Sequence, residues 1–185
     1  YSLGISQTYL LRGITGSGKT EVYMALIERM IAGGKQAIVL IPEIALTYQT
    51  LLRFYLRFGD RVSVMNSRLS PGERSDQYER AAKGEIDIMI GPRSALFTPF
   101  ERLGLVIIDE EHESSYKSET MPKFHAREVA QELCRMKHAS LLLGSATPSL
   151  ESYYRARQGE IPLFTLNSRL TGGELPKVYV EDLRE

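Results

Sequence analysis

Six short apolar runs punctuate the chain, at 8–11 (TYLL), 37–41 (AIVLI), 62–65 (VSVM), 86–90 (IDIMI), 105–108 (LVII) and 140–144 (SLLLG). They are rich in Val, Ile and Leu and mostly lack polar alternation, the pattern of strands covered on both faces. The stretches between them predict helices over 19–32, 45–58, 71–83, 124–137 and 149–158. This alternation of strand and helix predicts an α/β fold with a mostly parallel central sheet and helices on both faces. Parallel neighbours need crossover connections, and these are nearly always right-handed. Ligands of such sheets gather at the carboxyl ends of the strands, so a polar cluster directly after an apolar run marks a place to look for chemistry. The segment 167–177 (NSRLTGGELPK) has the Gly and Pro punctuation of a loop. It predicts a lobe over 1–166 and a connecting segment over 167–185.

The first polar cluster is GITGSGKT at 13–20, which matches G-x-x-x-x-G-K-[ST] between a predicted strand and a predicted helix. Glycines let a phosphate approach the backbone and permit dihedrals denied to residues with a Cβ. The N–H groups of the turn and of the helix start then face the anion. Gly13, Thr15, Gly16, Ser17, Gly18, Lys19 and Thr20 are therefore candidate nucleotide-binding residues. Lys19 is placed to reach the β and γ phosphates, and the Thr20 hydroxyl to ligate Mg²⁺.

The second cluster, DEEH at 109–112, follows the apolar run 105–108. Taken alone it reads equally well as a solvated turn after a strand. Beside a phosphate loop it reads as a nucleoside triphosphatase site, because transfer of a phosphoryl group to water needs charge neutralisation and an oriented nucleophile. Asp109 fits the magnesium role and Glu110 the general base, with Lys19 the third candidate catalytic residue.

Composition narrows the classes. Lys plus Arg and Asp plus Glu number 23 each, so no global field steers the chain to nucleic acid or membrane, and any polyanion site must be local. One cysteine, Cys134, can form neither an internal disulfide nor a cysteine-cluster zinc site, which fits a reducing compartment such as the cytosol. No apolar stretch approaches the ~20 residues of a membrane span. A start on Tyr1 and a charged end after KVYV predict a piece of a longer protein.

GITGSGKTEVY, IPEIALT, GPRSALF, DEEHESSYK, FHAREVA and LGSATPSLES together resemble the first lobe of the primosomal protein N-prime family, the bacterial replication-restart DNA helicases of superfamily 2. The likeness runs from about residue 10 to 185. GxGKT and DExH are shared by many helicases, whereas GKTEVY joined to DEEHESSYK and FHARE is more specific. The resemblance implies a RecA-like P-loop NTPase lobe and a DEAH-type helicase moving 3′ to 5′ on single-stranded or forked DNA with ATP and Mg²⁺. It also implies primosome proteins and single-strand-binding protein as partners in a bacterial cytoplasm. Glu111 and His112, with Ser145 and Thr147, resemble the elements that couple hydrolysis to movement.

By the same resemblance IPEIALT (41–47) and GPRSALF (91–97) lie where such lobes touch the DNA backbone, with Thr47, Arg93 and Ser94 as candidate contacts. The alternative for these residues is that Pro42 and Pro92 end strands and the following residues cap helices. The span 113–124 is similar to an aromatic-rich loop that senses single-stranded DNA, making Tyr116, Lys117 and Phe124 candidates. Stacking of a base on a ring is worth about 1–3 kcal/mol, but both rings could instead pack onto the lobe. His125 and His138 have no second His or Cys at ligand spacing, so core or surface roles are expected. The family's zinc site, second lobe with its arginine finger, and fork-binding region have no counterpart in this sequence. The lobe alone is therefore expected to bind nucleotide weakly and to hydrolyse it poorly. Other readings are a superfamily 2 translocase of branch-migration or restriction type, and a nucleotide-gated assembly module.

Overall fold

Each apolar run becomes a strand because its alternate residues are buried on opposite sides of one sheet. The computed structural model describes residues 7–169. Its strands are β1 (Thr8–Gly13), β2 (Gln36–Leu40), β3 (Val62–Val64), β4 (Ile88–Gly91), β5 (Leu103–Ile108), β6 (Ser140–Ser145) and β7 (Leu163–Leu166), ordered β3-β4-β2-β5-β6-β1-β7. Every pairing is parallel.

The helices are α1 (Lys19–Ala32), α2 (Tyr48–Phe58), α3 (Pro71–Ala82), α4 (Ala126–Lys137) and α5 (Leu150–Arg157). On one face Ala37, Val39, Leu105, Ile107 and Leu142 pack with Tyr23, Met24, Ile27 and Met30 of α1 and Phe54 of α2. On the other, Leu10, Ile38, Leu40, Val106, Ile108, Leu141 and Leu143 pack with Ala81 of α3 and Ala126, Ala130 and Cys134 of α4, and Ala156 of α5 lies against the same cluster. Each fully buried Ile or Leu contributes about 1.5–3 kcal/mol, so both layers are strongly held. This is the RecA-like α/β lobe that the resemblance implied. Among the described residues no helix is long and apolar enough to cross a membrane.

The structure departs from expectation at the edges. The sequence reading missed β7, an edge strand paired only with β1, whose residues are part-exposed and interrupted by Thr165. Helix α2 starts at Tyr48 rather than 45: residues Glu43–Ala45 form one 3₁₀ turn, and Thr47 caps the helix by accepting from the Thr50 N–H. Helix α4 starts at Ala126 rather than 124, with the His125 ring nitrogen accepting from the Arg127 N–H. The expected connection beyond residue 169 lies outside the described residues.

Because the strands run in parallel, the loops that follow β1, β2, β4, β5 and β6 all leave at one edge of the sheet. Every cluster singled out in the sequence lies on those loops or at the helix starts they lead into.

Candidate functional site

The loop after β1 folds back tightly. Gly16 and Gly18 have φ of 79° and 91°, left-handed values that disfavour any side chain. The Ser17 N–H donates to the Ile14 carbonyl (3.0 Å). Gly13 is required by close approach, since a Cβ there would lie 2.5 Å from Ser17 Oγ. The Ser17 hydroxyl is buried without a hydrogen-bond partner among the described residues, a polar atom left inside the loop. Lys19, on the first turn of α1, donates from Nζ to the Gly13 carbonyl (2.8 Å) and lies 3.6 Å from Glu110 Oε1.

Asp109 and Glu110 leave the end of β5. The Asp109 N–H donates to the Leu40 carbonyl (2.9 Å), and the Asp109 carbonyl accepts from the Tyr116 hydroxyl (2.7 Å). Its carboxylate Oδ1 accepts from the Tyr23 hydroxyl (2.7 Å). Burial pushes the Asp109 carboxyl above the usual carboxylate range, against the opposing effect of the Tyr23 bond and Lys19. Glu110 has φ of 47°, uncommon for a residue with a Cβ, and is held by the bonds from Glu111 N–H to the Gly144 carbonyl (3.0 Å) and from Glu113 N–H to its own carbonyl (2.9 Å).

These groups line one cavity of about 320 Å³, bounded by Ile14, Thr15, Gly16, Gly18, Lys19, Thr20, Glu21, Arg53, Asp109 and Glu110. Its backbone amides and Lys19 suit phosphate oxygens. Thr20 and Asp109 offer the all-oxygen donors that Mg²⁺ prefers, and a half-buried carboxylate is stabilised by a cation, so the residues fit both groups. Arg53, from α2, was missed by the sequence reading; no motif marks it, and only the packing of α2 beside α1 brings it there. That packing rests on Phe54 among the α1 residues Met24, Ile27 and Met30, and at its exposed rim the Arg57 guanidinium donates to Glu28 (2.6 and 2.8 Å) and Glu21 (3.2 Å).

Beyond Glu110 the polar groups run on towards β6. His112 Nδ1 lies 2.8 Å from Ser145 Oγ and 3.7 Å from Glu110, and its Nε2 lies 3.5 Å from Thr147 Oγ1. The Thr147 N–H donates to Ser145 Oγ (3.0 Å). Glu111 is enclosed. It accepts from the Ser149 N–H (2.6 Å), the Ser149 and Ser152 hydroxyls (3.1 and 3.0 Å) and Arg127 Nη1 (3.1 Å). Arg127 and Ser152 were not anticipated as site residues. A buried carboxylate needs partners, which is the one signal that could have prompted a search, but nothing local said which residues they were.

The loops for DNA contact are partly committed to the lobe itself. Arg93 Nη1 donates to the Ser115 and Lys117 carbonyls (3.1 and 2.7 Å), so it braces the span 113–124. Thr47 is exposed but caps α2. Ser94 sits in the 3₁₀ helix Arg93–Phe97, and its carbonyl accepts from Tyr78 (3.2 Å). Of the two alternatives for Tyr116, the structure has the packed one: the ring is 1% exposed, which removes it as a base-stacking surface. Phe124 is half-buried and meets Phe97 edge-on at 5.6 Å. Lys117 is exposed. A second cavity, of about 370 Å³, lies between these loops and includes Glu43, Ser67, Arg74, Arg93 and Ser94; Arg74 is a cation the sequence reading did not single out.

The description DEAD/DEAH box helicase matches residues 4–156. The chain is 51% identical over 179 residues to Replication restart protein PriA of Bacillus subtilis (strain 168), covering 97% of this chain and 22% of that protein. For the proteins of the same name from Chlamydia trachomatis serovar D and Treponema pallidum (strain Nichols), identity is 48% and 44%, with 96% of this chain and 24% and 27% of theirs covered. The chain thus spans about a quarter of the length of these relatives. Among solved structures, RecG bound to a three-way DNA junction aligns at TM-score 0.62 and 25% identity, over 92% of this chain and 21% of RecG. The Hef helicase domain of Pyrococcus furiosus aligns at TM-score 0.62 and 19% identity, over 90% and 36%, a likeness of fold.

Proposed function

Because this chain belongs to the DEAD/DEAH box helicase family, we propose that it is the ATP-binding motor lobe of a 3′-to-5′ DNA helicase that acts in replication restart. The observation that carries the reading is the convergence of Lys19, Thr20, Asp109 and Glu110 on one cavity beneath the amides of a glycine loop. The similarity to replication restart proteins over almost the whole chain supports the pathway.

In this reading the amides of 16–20 and the start of α1 bind the phosphates, and Lys19 offsets the charge that grows on the leaving group. Thr20 and Asp109 would hold Mg²⁺, which when bound would neutralise phosphate charge. Glu110 accepts the proton of the attacking water. Arg53 adds a second cation to the wall of the cavity. Glu111, His112, Ser145 and Thr147 pass changes at this site to the DNA side, where Thr47, Arg93, Ser94 and Lys117 meet the phosphate backbone and Phe124 borders the path. A second lobe and a fork-binding domain of the parent chain complete the motor. Primosome proteins and single-strand-binding protein are its partners in the bacterial cytoplasm, and any zinc belongs to the parent's other parts. This lobe alone binds nucleotide weakly and turns it over poorly.

The test is Lys19→Ala in the parent protein. DNA-stimulated ATP turnover should fall by at least about 100-fold, as when a preorganised charge-stabilising group is removed. Near-normal turnover would refute the assignment of this cavity.

A further inference from the structure

We propose that Tyr23 is a positioning residue that fixes the Asp109 carboxylate for the divalent cation. This rests on the nucleotide-site reading above and adds to it a residue outside the G-x-x-x-x-G-K-[ST] and DEEH patterns.

Tyr23 lies four residues after Lys19, so the two side chains share one face of α1, a turn apart. The phosphate loop and the tyrosine are therefore set by the same helix. The phenol is 1% exposed and crosses to β5, 86 residues away in sequence, where its hydroxyl donates to Asp109 Oδ1 at 2.7 Å. The space at its tip is provided by Gly144 of β6: a Cβ there would lie 1.8 Å from the Tyr23 oxygen. Glycine at 144 thus has a specific task, and the phenol rests against bare backbone.

The Asp109 main chain is already held on both sides, by Leu40 and by Tyr116. What stays adjustable is the side-chain torsion of the carboxylate, and the Tyr23 hydroxyl sets it. A phenylalanine would fill the same volume without burying a polar atom, so packing alone does not account for the hydroxyl. Carboxylates that ligate metals are commonly oriented by such a second hydrogen bond, and its loss typically lowers metal affinity about 10–100-fold.

The experiment uses the longer parent protein with Tyr23→Phe, which keeps the ring. Mn²⁺ binding in the presence of nucleotide is followed by electron paramagnetic resonance, and nucleotide binding is measured in parallel without divalent metal. The proposal expects the Mn²⁺ concentration at half-saturation to rise about tenfold, metal-free nucleotide affinity to stay the same, and excess metal to restore turnover. Unchanged Mn²⁺ affinity overturns it, and so does an equal loss of metal-dependent and metal-free binding, which marks a general packing defect. Gly144→Ala, whose Cβ would occupy the place of the Tyr23 hydroxyl, should give the same selective loss if Tyr23→Phe folds poorly. Asp109→Asn separates the two readings: it must weaken Mn²⁺ binding if the site is as proposed. If it does and Tyr23→Phe does not, only the role of Tyr23 falls.

Discussion

Glu110 sits at a left-handed φ of 47° with its carboxylate 3.6 Å from Lys19. A residue with a Cβ persists there only where its surroundings over-determine it, which here is the bond pair to Gly144 and Glu113. Glu110→Gln keeps the shape and removes the proposed base. Turnover should drop by about 10²–10⁴-fold while nucleotide affinity, measured by equilibrium titration of the same variant, holds; loss of both would count against the assigned proton acceptor. At this scale the sequence was most informative for the phosphate loop, whose residue types and spacing are local requirements. It was least informative for Tyr116, where an aromatic side chain beside acidic residues looked the same whether it faced a base or the core. Its burial depends on the backbone carbonyl of Asp109 as a hydroxyl partner, a choice made by the fold.

Among the elements, β5, α4 and α5 are joined by Glu111. Its carboxylate has no exposed surface and the Arg127 side chain is 16% exposed, so the pair is nearly dry. Removing one member of a buried pair leaves an uncompensated charge, at a cost of about 3–5 kcal/mol. The Ser149 and Ser152 hydroxyls remain in place to share that load, so Arg127→Ala should fall near the lower end, about 3 kcal/mol, in urea unfolding. An effect indistinguishable from that of exposed Arg135→Ala on the same helix would show that the clamp is not structural. Helix and strand positions were legible because burial on two faces writes continuous apolar runs and amphipathic helices. The exceptions have physical causes: β7 is an edge strand with little to bury, and α2 and α4 begin where Thr47 and His125 supply caps.

For the whole molecule, the sheet places the glycine-loop cavity and the cavity between Glu43, Arg74 and Arg93 along the same edge, on loops that leave the strand ends and the helices they lead into. If the proposed replication-restart reading holds, ATP turnover in the parent protein should be raised more by forked and single-stranded DNA than by plain duplex. Steady-state rates with the three substrates at matched salt check this, since phosphate contacts weaken with salt; equal stimulation by plain duplex would favour a duplex translocase. The sequence by itself determined the α/β class, the sites of the helices and of every strand but β7, and the two candidate nucleotide motifs, because hydrophobic periodicity and phosphate-loop chemistry are properties of short segments. Only the tertiary structure decided which distant groups meet: Tyr23 with Asp109 across 86 residues, and Glu111 with Ser149 across 38. It also placed Arg53 in the cavity wall. Those distances follow from strand order and helix packing, which bring together positions whose separation along the chain carries no signal of contact.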